Sequence, residues 1–109
     1  MAHTFDRVAR ALGDRSRRVV LTAVHDQNPL SMSEIESAAV TMDTADRLPD
    51  PERDRIALVH THLPLLDSSG YIDWNREADT IVKGENWEEI LPFLELFEER
   101  AHQLPAEWP

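Results

Sequence analysis

Between Tyr71 and Lys83 the hydrophobic period of this chain changes from that of a helix, about 3.6 residues, to that of a strand, about 2. Ile72, Trp74 and Ile81 alternate with polar neighbours, and Asn75-Arg76-Glu77-Ala78-Asp79 has the composition of a turn. The segment therefore reads as a β-hairpin, with 71–75 paired to 79–83. Helical patterns lie on both sides of it.

Upstream, Phe5, Val8 and Leu12 fall on one helical face, with Thr4 as the expected cap and Gly13 as the stop. Asp14 is placed to cap a second helix whose apolar face is Val20, Leu21 and Val24, with Arg17 and Arg18 outside that face. Asn28-Pro29 ends it. Ser33 followed at the third position by Glu36 reads as a capping box for a short helix with Ile35, Ala38 and Ala39 inward. Residues 40–49 read as a loop, and Asp50-Pro51-Glu52 opens a longer helix with Ile56, Val59, Leu63 and Leu66 as its core stripe. Pro64 removes one hydrogen bond from that helix, which predicts a kink or a tightened turn. Ser69-Gly70 closes it. After Gly84, Asn86 is the expected cap of a last helix carrying Ile90, Phe93, Leu94, Phe97, Ala101 and Leu104, with Pro92 as an alternative start.

The chain has 109 residues, enough for one domain with a modest core. It contains no cysteine, which excludes disulfide scaffolds, thiolate zinc sites and thiol nucleophiles. No apolar run reaches the roughly 18 residues of a membrane span, and the N-terminus lacks the apolar stretch of a signal peptide, so a cytoplasmic protein is expected. There are 21 acidic residues against 11 basic ones, and Lys83 is the only lysine. Such a surface is expected of a protein adapted to a molar-salt cytoplasm, where screening acts over a few ångströms, the alternative being simply an acidic protein from a high-GC organism. The bases are uneven: residues 1–25 hold five arginines against Asp6 and Asp14, so a polyanion would meet its basic patch on the first two helices.

Helix, helix, short helix, longer helix, hairpin, helix is the order of a winged helix-turn-helix: mainly α (α+β), with a two-stranded wing and an additional C-terminal helix. The expected organisation is a single domain, 1–109, with a core over 5–83 and a terminal dimerisation helix over 86–104. The residues carry a resemblance as well. Ala11-Leu12-Gly13-Asp14-Arg15-Ser16-Arg17-Arg18-Val19-Val20-Leu21 resembles the opening of ArsR-type winged-helix regulators, in which Ala-Leu-x-Asp-x-x-Arg-Arg leads into the second helix. Leu30-Ser31-Met32-Ser33-Glu34-Ile35 resembles the start of their helix-turn-helix, and His62-Leu63-Pro64-Leu65-Leu66-Asp67-Ser68-Ser69-Gly70-Tyr71-Ile72 their run from recognition helix to wing. Small haloarchaeal winged-helix proteins with a His-x-His-Leu-Pro run resemble it most. The resemblance implies double-stranded DNA as partner and a homodimer; it identifies no effector.

A recognition helix presents its outer face to the major groove. Here that face is expected to carry Asp54, Ala57, Leu58, Thr61 and Leu65, and from Ile56 through Trp74 there is no Arg, Lys, Asn or Gln, the residue types that make bidentate base contacts. Arg55, His60 and Thr61 remain as groove contacts. Ser33 at a helix start, Arg76 in the wing, Lys83 and Arg17 are the candidate phosphate contacts. Phe93, Leu94, Phe97 and Leu104 are the candidate dimer residues. The scarcity of base readers and the Leu58/Leu65 surface leave a second reading, a winged-helix module that docks a protein partner without sequence-specific DNA binding. His60-Thr61-His62 suggests a metal site, but side chains two apart on a helix diverge by about 200°, and zinc wants three or four ligands. His62 is expected to be packed or hydrogen-bonded, with no metal or cofactor. The serines lack a nucleophile-elbow context and only three glycines occur, so no enzymatic site is assembled.

Overall fold

The computed structural model describes residues 2–35, 55–104 and 108–109. Helices α1 (Ala2–Leu12) and α2 (Arg15–Asp26) precede a short α3 at 32–35. A helix over 55–68, α4, leads into β1 (Ile72–Asn75) and β2 (Thr80–Lys83); α5 (Trp87–Glu99) and a 3-10 turn (Ala101–Gln103) follow. The fold is mostly helical with one antiparallel two-stranded sheet and a C-terminal helix, a winged-helix-like α+β arrangement. The expected inward positions Ala38 and Ala39, the 40–49 loop, Glu36 and the Asp50-Pro51-Glu52 helix start lie outside the described residues.

Helix α2 is the centre of the core. Asp14 takes the extended backbone of an N-cap and accepts from the Ser16 amide at 2.8 Å, as expected. Val19 through Val24 are all buried, a wider apolar band than Val20, Leu21 and Val24, because α1, α4 and β2 pack around the helix. Helix α1 starts at Ala2, so Thr4 lies within it rather than capping it. Its buried line is Val8 and Ala11; Phe5 is 62% exposed and rests edge-on against Phe93, with ring centroids 6.0 Å apart. The small Ala11 lets α1 approach α2, and that approach leaves Phe5 at the rim.

The hairpin forms in the expected place, with Ile72 opposite Lys83 and Trp74 opposite Ile81. It gains a neighbour that alternation alone does not reveal. Leu30 pairs with Ile81 through both backbone bonds, 2.9 and 2.8 Å, and lies beside β2 as a one-residue third strand. The base of the hairpin closes where the chain crosses itself: the Gly84 amide donates to Tyr71 O at 3.0 Å and the Asn86 amide to Gly70 O at 2.7 Å. Gly70 adopts φ 81°, in the left-handed region.

In α4, residues Leu58–His62 form a π-turn and Leu63–Ser68 a regular α-turn. Pro64 has no N–H to donate to His60, so the regular register is already broken there. The Leu63 amide bonds Leu58 O, five residues back. The turn is thus widened, not tightened. The extra residue rotates the stripe: Leu58, His62, Leu63 and Leu66 are buried, whereas Ile56, expected in the core, is 54% exposed.

Helix α5 runs through Pro92 without a break. Asn86 does not cap it with its side chain; its Nδ2 instead donates to Ser69 O at 3.0 Å, holding the turn between α4 and β1.

Candidate nucleic-acid interface

Three elements of the fold offer the sequence-predicted contacts to solvent. On α4, Arg55, His60 and Thr61 are exposed, as expected. Leu58, expected beside them, is buried, and Leu65 packs against the core, so the outer apolar group on this helix is Ile56. On the hairpin, Arg76 is exposed with its guanidinium 4.3 Å above the Trp74 ring, and Lys83 is exposed with Nζ 5.5 Å from the Trp87 ring centroid. Contact with an aromatic face restrains each cation at the surface without neutralising its charge.

At α3 the geometry corrects the expected cap. Ser31 is the capping residue: its Oγ accepts from the Glu34 amide at 3.3 Å, and Glu34 Oε1 accepts from the Ser31 amide at 3.3 Å, a complete capping box two residues before the expected one. Burial of Met32 and Ile35, three apart, requires the helix to begin there. Asp79, at the end of the hairpin turn, reaches across to accept from the Met32 amide at 3.2 Å. Two carboxylates thus hold the Ser31 and Met32 amides at the observed start of the helix. Ser33 is exposed, and its Oγ lies 3.0 Å from Ser31 Oγ.

Arg17 is turned inward rather than toward a phosphate. Its Nε donates to Ala11 O at 3.3 Å, Nη2 donates to Arg10 O at 2.8 Å, and Nη1 lies 3.2 Å from His62 Nδ1. Arg18 Nη1 donates to Leu12 O at 2.7 Å, and burial lowers the Arg18 pKa while leaving the group cationic at neutral pH. The two arginines satisfy the last carbonyls of α1, the groups a helix C-terminus leaves without partners.

His62 is 92% buried, being 8% exposed, and hydrogen-bonded as the sequence suggests; its Nε2 faces Asp14 Oδ1 at 3.7 Å. Burial is the main cause that lowers its pKa; nearby Arg17 acts in the same direction and Asp14 against both. The Asp14–Arg17–His62 cluster was not visible in the sequence, because 45 residues separate Arg17 from His62. Among the described residues no group of three or more His, Asp and Glu could hold a metal ion, and no helix is long and apolar enough to cross a membrane.

Helices α1 and α5 are joined by Arg7, whose Nη2 donates to Glu89 Oε1 at 2.9 Å; Tyr71 Oη lies 3.4 Å from the same oxygen. Of the expected dimer residues, Leu94 is fully buried in the protein's own core and is removed from that set. Phe93, Phe97 and Leu104 are half-buried, Phe97 lying 5.1 Å from the Trp108 ring, while Leu96 is 49% exposed.

No curated protein and no solved structure matches the chain. A family model does match, over residues 9–82, a span that opens inside α1, contains the Asp14–Arg17–His62 cluster and closes within β2. On that match the chain belongs to DUF7344, a family described as a domain of unknown function.

Proposed function

We propose that this protein is a DNA-binding transcriptional regulator, similar to ArsR-type winged-helix proteins, that acts as a homodimer in the cytoplasm of a halophilic archaeon. The observation that carries the reading is the pair of exposed cationic groups on the wing, Arg76 over Trp74 and Lys83 beside Trp87, in a fold whose α4 also exposes Arg55, His60 and Thr61. In this reading α4 enters the major groove, Arg55, His60 and Thr61 meet base edges, and Arg76 and Lys83 hold phosphates. With so few base readers, affinity rests mainly on the backbone contacts and on shape. Phe93, Phe97 and Leu104 supply the apolar part of the dimer contact, together with the exposed Leu96.

Fluorescence anisotropy with the protein's own promoter DNA in molar KCl tests the reading. Binding that exceeds random duplex by at least about a thousandfold is the level expected of specific recognition. Equal affinity for both duplexes would sink it. The exposed Ile56 on the outer face of α4 favours a second reading, a protein-docking winged helix without specific DNA binding. A stoichiometric protein partner whose binding is lost in Ile56→Glu, with no promoter preference, would establish that reading instead.

A further inference from the structure

Three parts of the fold meet at the His62 side chain. The π-turn of α4 supplies the imidazole, the start of α2 supplies Asp14 and Arg17, and the end of α1 supplies the carbonyls of Arg10 and Ala11 that hold the Arg17 guanidinium. A guanidinium only donates. The contact of Arg17 Nη1 with His62 Nδ1 at 3.2 Å therefore requires a lone pair on Nδ1. This assigns the proton of the neutral ring to Nε2, the nitrogen that faces Asp14.

We infer that His62 is a proton-operated latch: neutral, it ties the π-turn of α4 to Arg17, and uptake of a proton from solvent at Nδ1 opens that tie. The protonated ring has no acceptor left for Arg17, and two donors of like charge then face each other. Among the described residues the charged groups acting on His62 are Arg17, which opposes protonation, and Asp14, which favours it. Asp14 is itself committed to the Ser16 amide and lies farther from the ring than Arg17 does. Burial sides with Arg17. The π-turn makes the latch consequential: its widened register places His62 on the buried side of α4 while His60, two residues earlier, stays in solvent. The inference does not depend on DNA binding.

The sign follows from linkage. A histidine whose pKa is depressed in the folded state contributes stability that is present above the unfolded value, about 6.5, and is lost as pH falls through the folded value. For a single proton the slope between those two values approaches tenfold in the folded-to-unfolded ratio per pH unit.

The test is made on the full chain labelled with nitrogen-15, in molar KCl, from pH 8 to pH 5. Imidazole nitrogen spectra are expected to show His62 with Nδ1 unprotonated at pH 8 and titrating below 6.5. The amides of Leu58, Val59 and Leu63 should shift with the same midpoint. Urea titrations of the wild type should lose stability over that range, and His62→Gln, whose side-chain carbonyl can accept from Arg17 and does not titrate there, should lack that component. The other four histidines, His3, His25, His60 and His102, are common to both proteins and drop out of the difference. A protonated Nδ1 at pH 8, a midpoint at or above 6.5, or α4 amides that ignore the His62 titration would each overturn the inference. Parallel stability profiles for wild type and variant would do the same. If His62→Gln does not fold, the wild-type spectra decide alone.

Discussion

Replacing Gly84 by alanine should unfold the base of the wing. A Cβ there would stand 2.3 Å from Gly70 O, 2.8 Å from Gly70 C and 2.8 Å from Ile72 O, all backbone atoms. Ordinary non-bonded contact is roughly 3.5 Å, so the two chain segments must part by about 1 Å. They are held together by the bonds from the Gly84 amide to Tyr71 O and from the Asn86 amide to Gly70 O. Parting them weakens both, at about 0.5–1.5 kcal/mol each, and overpacking adds about 1–3 kcal/mol. The lower entropy of the unfolded alanine chain returns about 0.4–1 kcal/mol. A net loss of roughly 2–4 kcal/mol follows, which for a domain of this size is a fall in Tm of about 10–20 °C. Gly13→Ala is the control: its Cβ would meet Ala9 O at 3.2 Å, and its φ is not in the left-handed region. That change should stay within about 1 kcal/mol of wild type. Urea and thermal melts followed by circular dichroism read both. A Gly84→Ala protein that melts with the wild type would refute the close crossing at the wing base.

Three further outcomes are expected. Ser31→Ala should cost about 1 kcal/mol in urea unfolding and Ser33→Ala only a few tenths, because Ser31 holds the α3 cap; the reverse order would restore Ser33 as the cap. Leu94→Ala should destabilise by about 2–5 kcal/mol through a core cavity, whereas Leu96→Glu should leave the melt nearly unchanged and shift sedimentation toward monomer; a Leu96→Glu protein that sediments as the wild type does would remove α5 from the proposed dimer contact. Arg76→Ala should weaken DNA binding for all sequences alike and lower the salt slope by about 1; an unchanged slope would take the wing tip off the phosphate backbone.

The parts of the fold that depend on neighbours in sequence were legible. The Asp14 cap, the stop at Gly13 and the position of the hairpin each follow from residues within a few positions of one another, whereas its pairing, Ile72 with Lys83, is one residue off the expected 71–75 with 79–83. Errors arose where a local signal competed with another or with packing. Ser31 and Ser33 each precede a glutamate at the third position, and burial of Met32 with Ile35 selects the first. Ile56 and Leu58 exchanged places because a 3.6-residue period was carried through a turn that Pro64 widens. Leu94 counts among the candidate dimer residues in the sequence because the sequence does not say how deeply α5 sinks against the other helices. At the candidate interface, exposure of Arg55, His60, Thr61, Arg76 and Lys83 was readable from polarity. The inward turn of Arg17 was not, since it depends on α1 ending within reach of its guanidinium and on a histidine far along the chain.

The single pairing of Leu30 with Ile81 also determines how the molecule can deform. It does not act alone: Asn28 Oδ1 accepts from the Lys83 amide, and Asp79 accepts from the Met32 amide. These contacts fasten the connection between α2 and α3 along the whole length of β2, which stiffens the joint between the wing and the helices it borders. Lys83 is thereby tied to the chain just after α2, and Asp79 to the start of α3, so a displacement of the strand is passed to both helices. The tip of the turn, Arg76 to Ala78, lies beyond these contacts and, among the described residues, is held only by bonds within the hairpin itself.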